Sequence, residues 1–551
     1  MNSKTYSSAK SLICIKKIIL RFFVIFVLLF SLTLTPWLAA DTSTPEDRAA
    51  LFDYILAKTL EREAFSPIKN QKLNLDVKKE MLRYRDELIA ADTDEKLFYT
   101  LVKISNARKD RHLKVGFVKG GLVLTHTDGV ELDNYSVLSA SILHAPIRFE
   151  TDFGTPGQYF VFVSDYPKNI ADFVGKIKPE VGDKLLAVNG QAIDEYRKKV
   201  EPYHRYSTIE GFWMKFPLWI PQKSYQFPLS FFRENSTFLL EKLDGKPYEI
   251  TLPYLPPDTI NWAGFGEKQY PGFKLVYSTQ TYNLYRPIDR KPVILLDWHG
   301  FKDTLIVDMD RLMEYAVQNK LLDHDIIFDG THSGGGSRGA YVLSLLSPKP
   351  FKTTFGNLRL SDIIPAFIKK MRKRYKQKKI ANGEVREGIE EDSSLIDWLE
   401  NDVILGVEAG QAYSNNVPFK LAHLPKWSDG IMKPAKVHFR GRLVCWFSPY
   451  GGSHLDQFNA MVADNKIGYT MGMPTHGYSN TWEWKETLIF PVSKKPVIWY
   501  MWNIGHTIRP NGEILEGNPA HVDEYIPLTR DNHLSYYEIL LSRTFKHLDL
   551  E

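Results

Sequence analysis

The sequence predicts a multidomain α/β protein of the α+β type, with a helical N-terminal region, a β-rich middle and an α/β C-terminal domain. Residues 45–112 carry apolar side chains at helical spacing, the middle of the chain reads as short strands, and strands alternate with helices from about residue 285 onward. With 551 residues, 44% of them hydrophobic, the chain is long enough to bury several large cores. We place the predicted boundaries at residues 41–114, 115–255 and 256–551.

Residues 1–40 differ in composition from the rest of the chain and are predicted to be a signal peptide. The apolar run of residues 22–34 is followed by small residues and then by the polar, acidic start of residues 41–43. A basic start, an apolar middle and a small-residue cleavage site mark a secretory signal. An uncleaved membrane anchor is the alternative, although the run is short for a full span. We therefore expect an exported bacterial protein, periplasmic or extracellular, with membrane contact only through an uncleaved anchor. Five cations precede the apolar run: Lys4, Lys10, Lys16, Lys17 and Arg21.

Charge and cysteine content argue against several classes of function. The net charge of +5 equals the five cations of the leader, which has no Asp or Glu, so 5 minus 5 leaves residues 41–551 at zero. Nucleic acid is therefore not an expected partner. Removing the leader also removes Cys14, which leaves Cys445 alone in an apolar strand as a predicted buried thiol. The scattered histidines show no paired ligand spacing, so we expect no metal and no cofactor.

The N-terminal region is predicted to end in a helix followed by a basic turn. Asp92, with Glu95 three residues later, resembles a capping box that opens this helix. The helix ends in residues 107–112, after which residues 113–118 alternate like a strand. His112 thus lies at a helix-to-strand junction.

A glycine-rich loop at residues 330–339 follows the apolar strand that ends at Asp329. Its glycines match both a dinucleotide fingerprint and a nucleophile elbow around Ser337. Ser337 lies eight residues beyond Asp329, too far for a sharp elbow, and Asp362 begins a helical stretch where the dinucleotide motif needs a strand end. A flexible connection and a loop of backbone donors for an oxyanion both remain open.

Ser453 is predicted to lie on a corner between a strand and a helix. Residues 438–447 have the β-branched and aromatic content of a buried strand, and apolar residues recur at helical spacing after residue 454. A hydroxyl beside the unpaired N–H groups of a helix start can supply both a nucleophile and an oxyanion donor for acyl transfer. The alternative is an ordinary serine N-cap behind a glycine-rich turn.

Taken together, these segments resemble the tail-specific, or carboxyl-terminal processing, serine peptidases and their tricorn-like relatives. Residues 178–193 resemble the PDZ-type module of that family, residues 329–336 its Asp-led strand with a Gly-Gly loop, and residues 453–477 its nucleophile helix. The resemblance implies a PDZ-like module at 115–255. It also implies a ClpP/crotonase-like catalytic domain at 256–551, with an insertion at about 350–435. Ser453 would be the nucleophile, and the backbone of Gly335 or Gly336 would contribute to the oxyanion hole.

One departure from the family pattern decides which mechanism the resemblance implies. The processing peptidases carry a general-base lysine where this chain has Tyr478, and a tyrosine with a pKa near ~10 is a poor base at neutral pH. The chain resembles instead the branch of chlamydial protease-like activity factor, in which a histidine from outside the nucleophile domain is the base and a late glutamate orients it. This implies His112 as base and Glu516 as its partner, with Glu513 as the alternative.

Three other histidines are rivals for the role of base. His454 adjoins the serine, but neighbouring side chains at a helix start diverge, so its backbone N–H is expected in the oxyanion hole instead. His332, in the glycine-rich loop, is the best substitute base, and His476 lies on the same segment as Tyr478. If the base has an ordinary histidine pKa, activity falls as the pH drops through ~6.5.

The predicted function is an exported serine endopeptidase that cleaves protein tails or unstructured segments through a Ser–His–Glu mechanism. The PDZ-like module would bind protein or peptide substrates by adding them as an extra strand. One alternative is a catalytically inactive peptide-binding scaffold of the same fold, which the loss of the lysine at Tyr478 keeps open. Another is an esterase-type hydrolase that uses Ser337. The sequence is compatible with a homo-oligomer.

Overall fold

The structure is a computed structural model that describes residues 43–125, 131–132, 143–175, 177–381, 393–418, 430–479 and 482–550. The predicted signal peptide and two parts of the predicted insertion, residues 382–392 and 419–429, lie outside these described residues. Residues 46–551 form one compact unit. Within the described ranges, none of the helices combines the length and the apolar character needed to cross a membrane.

The N-terminal region is helical, as predicted, but its last helix begins one residue later than the capping-box prediction places it. Thr93 has extended backbone angles and its Oγ1 accepts a hydrogen bond from the Lys96 N–H at 3.2 Å, so Thr93 is the N-cap. The prediction for Asp92 is wrong, because its carboxylate pairs with the Lys96 ammonium at 2.7 Å instead. The helices are Pro45–Arg62, Ser66–Leu73, Val77–Leu82, Arg85–Ile89 and Asp94–Asn106.

The middle of the chain builds an antiparallel sheet of six strands with short helices beside it. Asn189 and Gly190 connect two of the strands with φ angles of 52° and 81°, the positive values that a two-residue hairpin turn requires. The strands are Arg148–Asp152, Phe160–Asp165, Lys184–Val188, Gln191–Ala192, Asn235–Glu241 and Pro247–Pro253. The helices are Ala171–Val174, Ile193–Val200 and Ile209–Trp219, with 3₁₀ turns at Glu201–Tyr203, Leu229–Phe231 and Pro257–Thr259.

The C-terminal part is organised around a seven-stranded sheet whose first three strands are antiparallel and whose last four continue in parallel. Its central strands are buried on both faces, as parallel strands require: Ile326 and Phe328 pack into one core and Ile327 into another. The predicted α/β class is thus confirmed. In spatial order the strands are Phe273–Ser278, Tyr282–Pro287, Val293–Trp298, Asp325–Asp329, Leu443–Phe447, Tyr469–Gly472 and Glu524–Tyr525.

Helices and small sheets complete this part of the molecule. The α-helices are Leu305–Gln318, Gly339–Leu346, Ile364–Ala381, Ser393–Trp398, Ile404–Glu408, His454–Asn465 and Tyr536–His547, with shorter turns at Leu399–Val403 and His533–Ser535. Val115–Gly116 pairs with Pro496–Asn503, which also pairs with Glu483–Ile489. The remaining paired strands are Val417–Pro418, Phe355–Leu358 and Gly505–Ile508, then Phe351–Lys352 with Ile431–Met432, Leu124–Thr125 with Glu131–Leu132, and Leu143–His144 with Gln222–Lys223.

Cys445 lies in the central strand Leu443–Phe447 and is fully buried as a free thiol. This placement confirms the prediction that it is a buried small apolar side chain.

Candidate active site

Ser453 lies on a sharp corner between the strand Leu443–Phe447 and the helix His454–Asn465, as predicted. Its backbone angles are φ 62° and ψ −121°, a conformation that is rare for residues other than glycine. The Ser453 N–H donates to the Tyr478 carbonyl at 2.7 Å, and the Ser453 carbonyl accepts from the Asp456 N–H at 3.0 Å. Such strain persists only where the surroundings enforce it, and it occurs often at functional sites.

The His112 ring faces this serine. Its Nε2 lies 3.0 Å from the Ser453 Oγ, although the two residues are 341 positions apart in the chain. His112 follows the helix Asp94–Asn106 at the predicted junction. The backbone N–H of His112 donates to the Asp110 Oδ1 at 3.0 Å. The distance between the imidazole and the hydroxyl is right for proton transfer between them.

Burial changes the acid–base properties of His112. Loss of solvation outweighs the opposing attraction of the Asp110 carboxylate and lowers the pKa of His112 to about 4. The cations Arg205, Arg111 and Lys114 push the pKa in the same downward direction. The expectation of an ordinary histidine pKa near ~6.5 is therefore wrong for this site, and the imidazole is neutral at physiological pH.

Tyr478, which stands where the family resemblance leads one to expect a lysine, packs beside the histidine. Its ring meets the His112 ring edge-on, with centroids 5.0 Å apart and an angle of 72°. A Cβ built on Gly452 would lie 2.0 Å from the Tyr478 Cε1, so the ring fits only against a glycine. The backbone N–H of Tyr478 donates to the Asp456 Oδ2 at 3.0 Å. Tyr478 therefore helps to confine the imidazole at the serine corner.

Glu516 is buried close to the His112 loop. Its Oε1 accepts a hydrogen bond from the Ser207 hydroxyl and its Oε2 accepts from the Ser479 N–H at 3.1 Å. The Ser207 Oγ in turn accepts from the Arg111 N–H at 3.1 Å, so one hydroxyl connects Glu516 to the residue before His112. Burial, followed by the charge of Asp110, raises the pKa of Glu516 well above its usual range.

Glu513, the alternative partner, is placed differently. Its Oε2 accepts from the Asn518 amide at 3.0 Å and lies 3.5 Å from the Arg509 guanidinium, with half of the side chain exposed. Both of these contacts are with neighbours on its own loop. Glu516 is the glutamate that the fold brings toward the histidine.

The glycine-rich loop wraps around the serine corner. A Cβ built on Gly335 would lie 2.6 Å from the Ser453 Cβ and 2.9 Å from its Oγ. Only a residue without a side chain therefore fits against Ser453 here. Gly336 has φ 143°, and a Cβ there would lie 1.9 Å from the Phe301 carbonyl oxygen. Both glycines are thus required by close packing, and they place loop backbone beside the Ser453 hydroxyl.

His454 contributes to the corner through its ring and its backbone in different ways. Its ring is buried, its Nε2 accepts from the Gly339 N–H at 2.6 Å, and burial lowers its pKa to about 3. The ring thus ties the end of the glycine-rich loop to the serine helix. The backbone N–H of His454 is at the first position of the helix. It therefore has no carbonyl oxygen one turn earlier to which it could donate.

The other rival histidines have partners elsewhere. His332 Nδ1 lies 2.9 Å from the Tyr537 hydroxyl. His476 is buried, with Nδ1 3.2 Å from the Pro449 carbonyl and Nε2 accepting from the Ser207 N–H at 3.5 Å. Within the described part of the chain, neither ring is hydrogen-bonded to Ser453.

The alternatives based on the glycine-rich loop lose support from its geometry. The strand Asp325–Asp329 and the helix Gly339–Leu346 are separated by the whole loop, so Ser337 lies in a long connection rather than on an elbow. Asp362 precedes the helix Ile364–Ala381 and forms ion pairs with Arg62 at 2.7 Å and Lys58 at 2.8 Å. It therefore has no place in a nucleotide site.

Two residues of this site were not predicted from the sequence. Asp110 is one, and its position two residues before a candidate base is the kind of signal that could have revealed it. Ser207 is the other; it lies 309 positions from Glu516, and no local pattern marks it. No group of three or more metal-ligating side chains occurs within the ranges that the structure describes.

Comparison with known proteins adds evidence on the fold. No protein-family model and no curated protein sequence matches this chain. A solved structure of mature CPAF covers 90% of this chain and 96% of its own, with a TM-score of 0.65 at 14% identity. The chain shares the fold of mature CPAF. A structure of mature CPAF complexed with lactacystin gives the same result, with 91% and 98% coverage, a TM-score of 0.63 and 13% identity. The fold predicted from the family resemblance is thus confirmed.

Proposed function

We propose that this chain is a serine endopeptidase in which Ser453 is the nucleophile and His112 the general base. The observation that carries the proposal is the 3.0 Å contact between the His112 Nε2 and the Ser453 Oγ on a strained strand-to-helix corner. The shared fold with mature CPAF supports it. No cofactor is required, because a hydroxyl, an imidazole and backbone donors suffice for acyl transfer.

In this mechanism the neutral His112 takes the proton of the Ser453 hydroxyl while the oxygen attacks the peptide carbonyl. The imidazolium then gives that proton to the leaving amine, and water reverses the sequence to release the acyl group. A pKa of about 4 keeps the imidazole unprotonated at neutral pH, so the base is available before each turnover. The strained backbone holds the hydroxyl within reach of the ring.

The tetrahedral intermediate needs donors for its oxyanion. The His454 N–H points out of the first turn of its helix, and the Gly335 backbone lies directly against Ser453. We assign the oxyanion hole to the His454 N–H and the backbone of Gly335 or Gly336. Donors of this kind stabilise the charge that develops in the transition state and are already in place before reaction.

Glu516 is assigned as a positioning residue for the base. Its hydrogen bond from Ser207, which accepts from the Arg111 N–H, links the buried carboxyl to the loop that carries His112. Asp110 adds a second link, because its carboxylate accepts a hydrogen bond from the backbone N–H of His112. Both links hold the backbone of the loop that carries His112, and a fixed loop keeps the imidazole within reach of Ser453.

The substrates are assigned as unstructured protein segments or tails in an exported setting. Pro247–Pro253 is an edge strand of the middle sheet in the described part of the chain, and a substrate strand could add to it by backbone hydrogen bonding. The order of basic, apolar and small residues in positions 1–40 supports export. The N-terminal mass of the protein secreted from a bacterial host tests this assignment, with a start near residue 41 expected.

Fluorophosphonate labelling tests the mechanism directly. The purified protein is reacted with the probe, and peptide mass spectrometry locates the modified residue in the wild type, Ser453→Ala, His112→Ala and Ser337→Ala proteins. We expect modification at Ser453, lost in the first variant, slowed at least ~100-fold in the second and unchanged in the third. Lactacystin, the ligand in one CPAF structure, should slow labelling at the same serine.

Two other outcomes would favour a different function. Modification of Ser337 with Ser453 untouched would favour the esterase-type alternative. Folded protein that no probe modifies, yet that binds unstructured peptides, would favour the inactive scaffold. Circular dichroism of each variant shows that a lost signal reflects chemistry and not misfolding.

A further inference from the structure

A cavity lies beside the candidate active site. It has a volume of about 220 Å³, and its lining includes Arg111, the residue directly before His112. A space of this size is small against the usual ~300 to 1,000 Å³ of sites for drug-sized ligands, so it suits one side chain or one terminal group. The lining residues Lys114, Arg205 and Trp219 are half-buried, which leaves the cavity reachable from solvent.

The lining is basic. Arg111, Lys114 and Arg205 all contribute to it, and no Asp or Glu is among the lining residues in the described part of the chain. Two of the cations are held in place by reciprocal bonds: Arg111 Nη1 donates to the Arg205 carbonyl at 3.3 Å, and Arg205 Nη1 donates to the Arg111 carbonyl at 3.1 Å. Fixed cations around a small opening attract an anionic group.

A buried imidazole provides an independent indication of a ligand. His204 is 3% exposed, and among the residues that the structure describes its Nε2 has no hydrogen-bond partner. Its ring is stacked on Trp219, with centroids 3.3 Å apart and an interplanar angle of 10°. Burial lowers its pKa well below the usual range, so the ring is neutral and Nε2 can carry a hydrogen. A buried donor without a partner is costly, and a bound acceptor would remove that cost.

We infer that this basic cavity, defined by Arg111, Lys114, His204, Arg205 and Trp219, binds a carboxylate of the peptide substrate next to the scissile bond. The inference rests on the proposed peptidase function, since it names the substrate group that the same site selects. An Asp or Glu side chain and a C-terminal carboxylate share this chemistry. The aromatic wall packs against the aliphatic part of the group, while the cations and His204 bond its oxygens.

Peptide binding to the full-length Ser453→Ala protein tests the inference without turnover. Three peptides of otherwise equal sequence are compared by calorimetry: one with an internal Glu and an amidated C-terminus, one with Gln and the same amide, and one with Gln and a free C-terminus. We expect either carboxylate peptide to bind at least about tenfold more tightly than the uncharged one. Whichever carboxylate peptide is tighter identifies the source of the group.

Matched variants locate the effect. In the Ser453→Ala background, Lys114→Gln should reduce the preference for the carboxylate peptides over the uncharged peptide to about twofold or less. His204→Phe, which keeps the stacking on Trp219, should reduce the same preference several-fold. Lys119→Gln is the control, because this exposed lysine lies outside the cavity. In active protein, Lys114→Glu should also turn the cleavage preference toward basic peptides, measured as the ratio of kcat/KM for matched Lys and Glu peptides.

The outcomes separate this inference from the proposed function. Equal binding of all three peptides, or a preference that survives Lys114→Gln, overturns the carboxylate site even when Ser453 is labelled. Absence of labelling at Ser453 overturns the peptidase assignment, while a carboxylate preference that depends on Lys114 still supports the cavity as a peptide site.

Discussion

At the scale of single residues, the environment of His112 sets the working pH of the site. The ring lies between Tyr478 and Ser453, and the loss of solvation there outweighs the nearby Asp110 carboxylate. Burial disfavours the imidazolium, so the neutral form persists far below the pH at which a solvated histidine becomes protonated. A base protected in this way tolerates mildly acidic surroundings.

The first prediction concerns this pH dependence. Because the base is neutral above its pKa, Ser453 labelling should stay nearly constant from pH 8 to pH 6 and fall to half near pH 4. The rate is measured between pH 3.5 and 8, with circular dichroism at each pH to confirm that the protein is folded. A half-loss near pH 6.5 would contradict the burial of the ring, and a profile without any acid limb would contradict a histidine base.

The second prediction concerns the glycine contact with the serine. Gly335→Ala should slow labelling and peptide cleavage by about 100-fold, because the new Cβ would displace Ser453 from the base. Gly334→Ala is the matched control: a Cβ there would meet only the His299 carbonyl, at 3.7 Å. Equal rates for the two variants would show that the loop does not position Ser453.

At the scale of elements, two parallel strands end with aspartates side by side. Asp297 and Asp329 are register partners, and like charges at such positions repel. Lys268 offsets this repulsion, with Nζ 2.5 Å from Asp297 and 3.0 Å from Asp329, while the Tyr270 hydroxyl donates to Asp329 at 2.6 Å. Since Asp329 directly precedes the glycine-rich loop, the lysine also fixes where that loop starts.

The third prediction follows from this network. Lys268→Met should lower the free energy of unfolding by about 3 kcal/mol, because it leaves two neighbouring aspartates buried without their cation. Lys291→Met, which removes a lysine from a surface pair with Asp289, should leave that free energy almost unchanged. Urea unfolding followed by fluorescence gives both values, and a similar effect of the two variants would contradict the role of Lys268.

The elements show how far sequence reasoning reaches. The corner at Ser453 and the α/β alternation follow from local periodicity and composition, and both are present. The predicted N-cap, Asp92, is one residue before the true N-cap, Thr93, since neighbouring polar side chains compete for the N-cap position. The link from Glu516 through Ser207 joins segments that are far apart in the chain, so tertiary packing alone creates it.

At the scale of the whole molecule, a buried arginine joins the N-terminal helices to the C-terminal strands. Arg108 is fully buried, bonds the Glu63 carboxylate and donates to the Met501 carbonyl at 2.8 Å. Its guanidinium also lies over the Tyr500 ring, 4.5 Å from the centroid. Because Arg108 precedes His112 by four residues, the same contacts hold the His112 loop against the C-terminal part of the chain.

The fourth prediction tests this link. Arg108→Met should lower the free energy of unfolding by about 3 to 5 kcal/mol, because Glu63 would remain buried without its cation. The folded fraction should also label more slowly at Ser453. Arg83→Met, which removes an exposed pair with Glu80, is the control and should change neither quantity. Wild-type labelling in folded Arg108→Met protein would show that the base is held by other contacts.

The distance along the chain between His112 and Ser453 has a consequence for the time at which activity appears. The ribosome adds 341 further residues after the histidine, the last of them the serine, and Glu516 comes later still. Contacts of such high sequence separation form late, since a long loop must close first. A nascent or unfolded chain therefore carries no working site, and the synthesising cell is shielded from the proposed peptidase activity until the whole fold has closed.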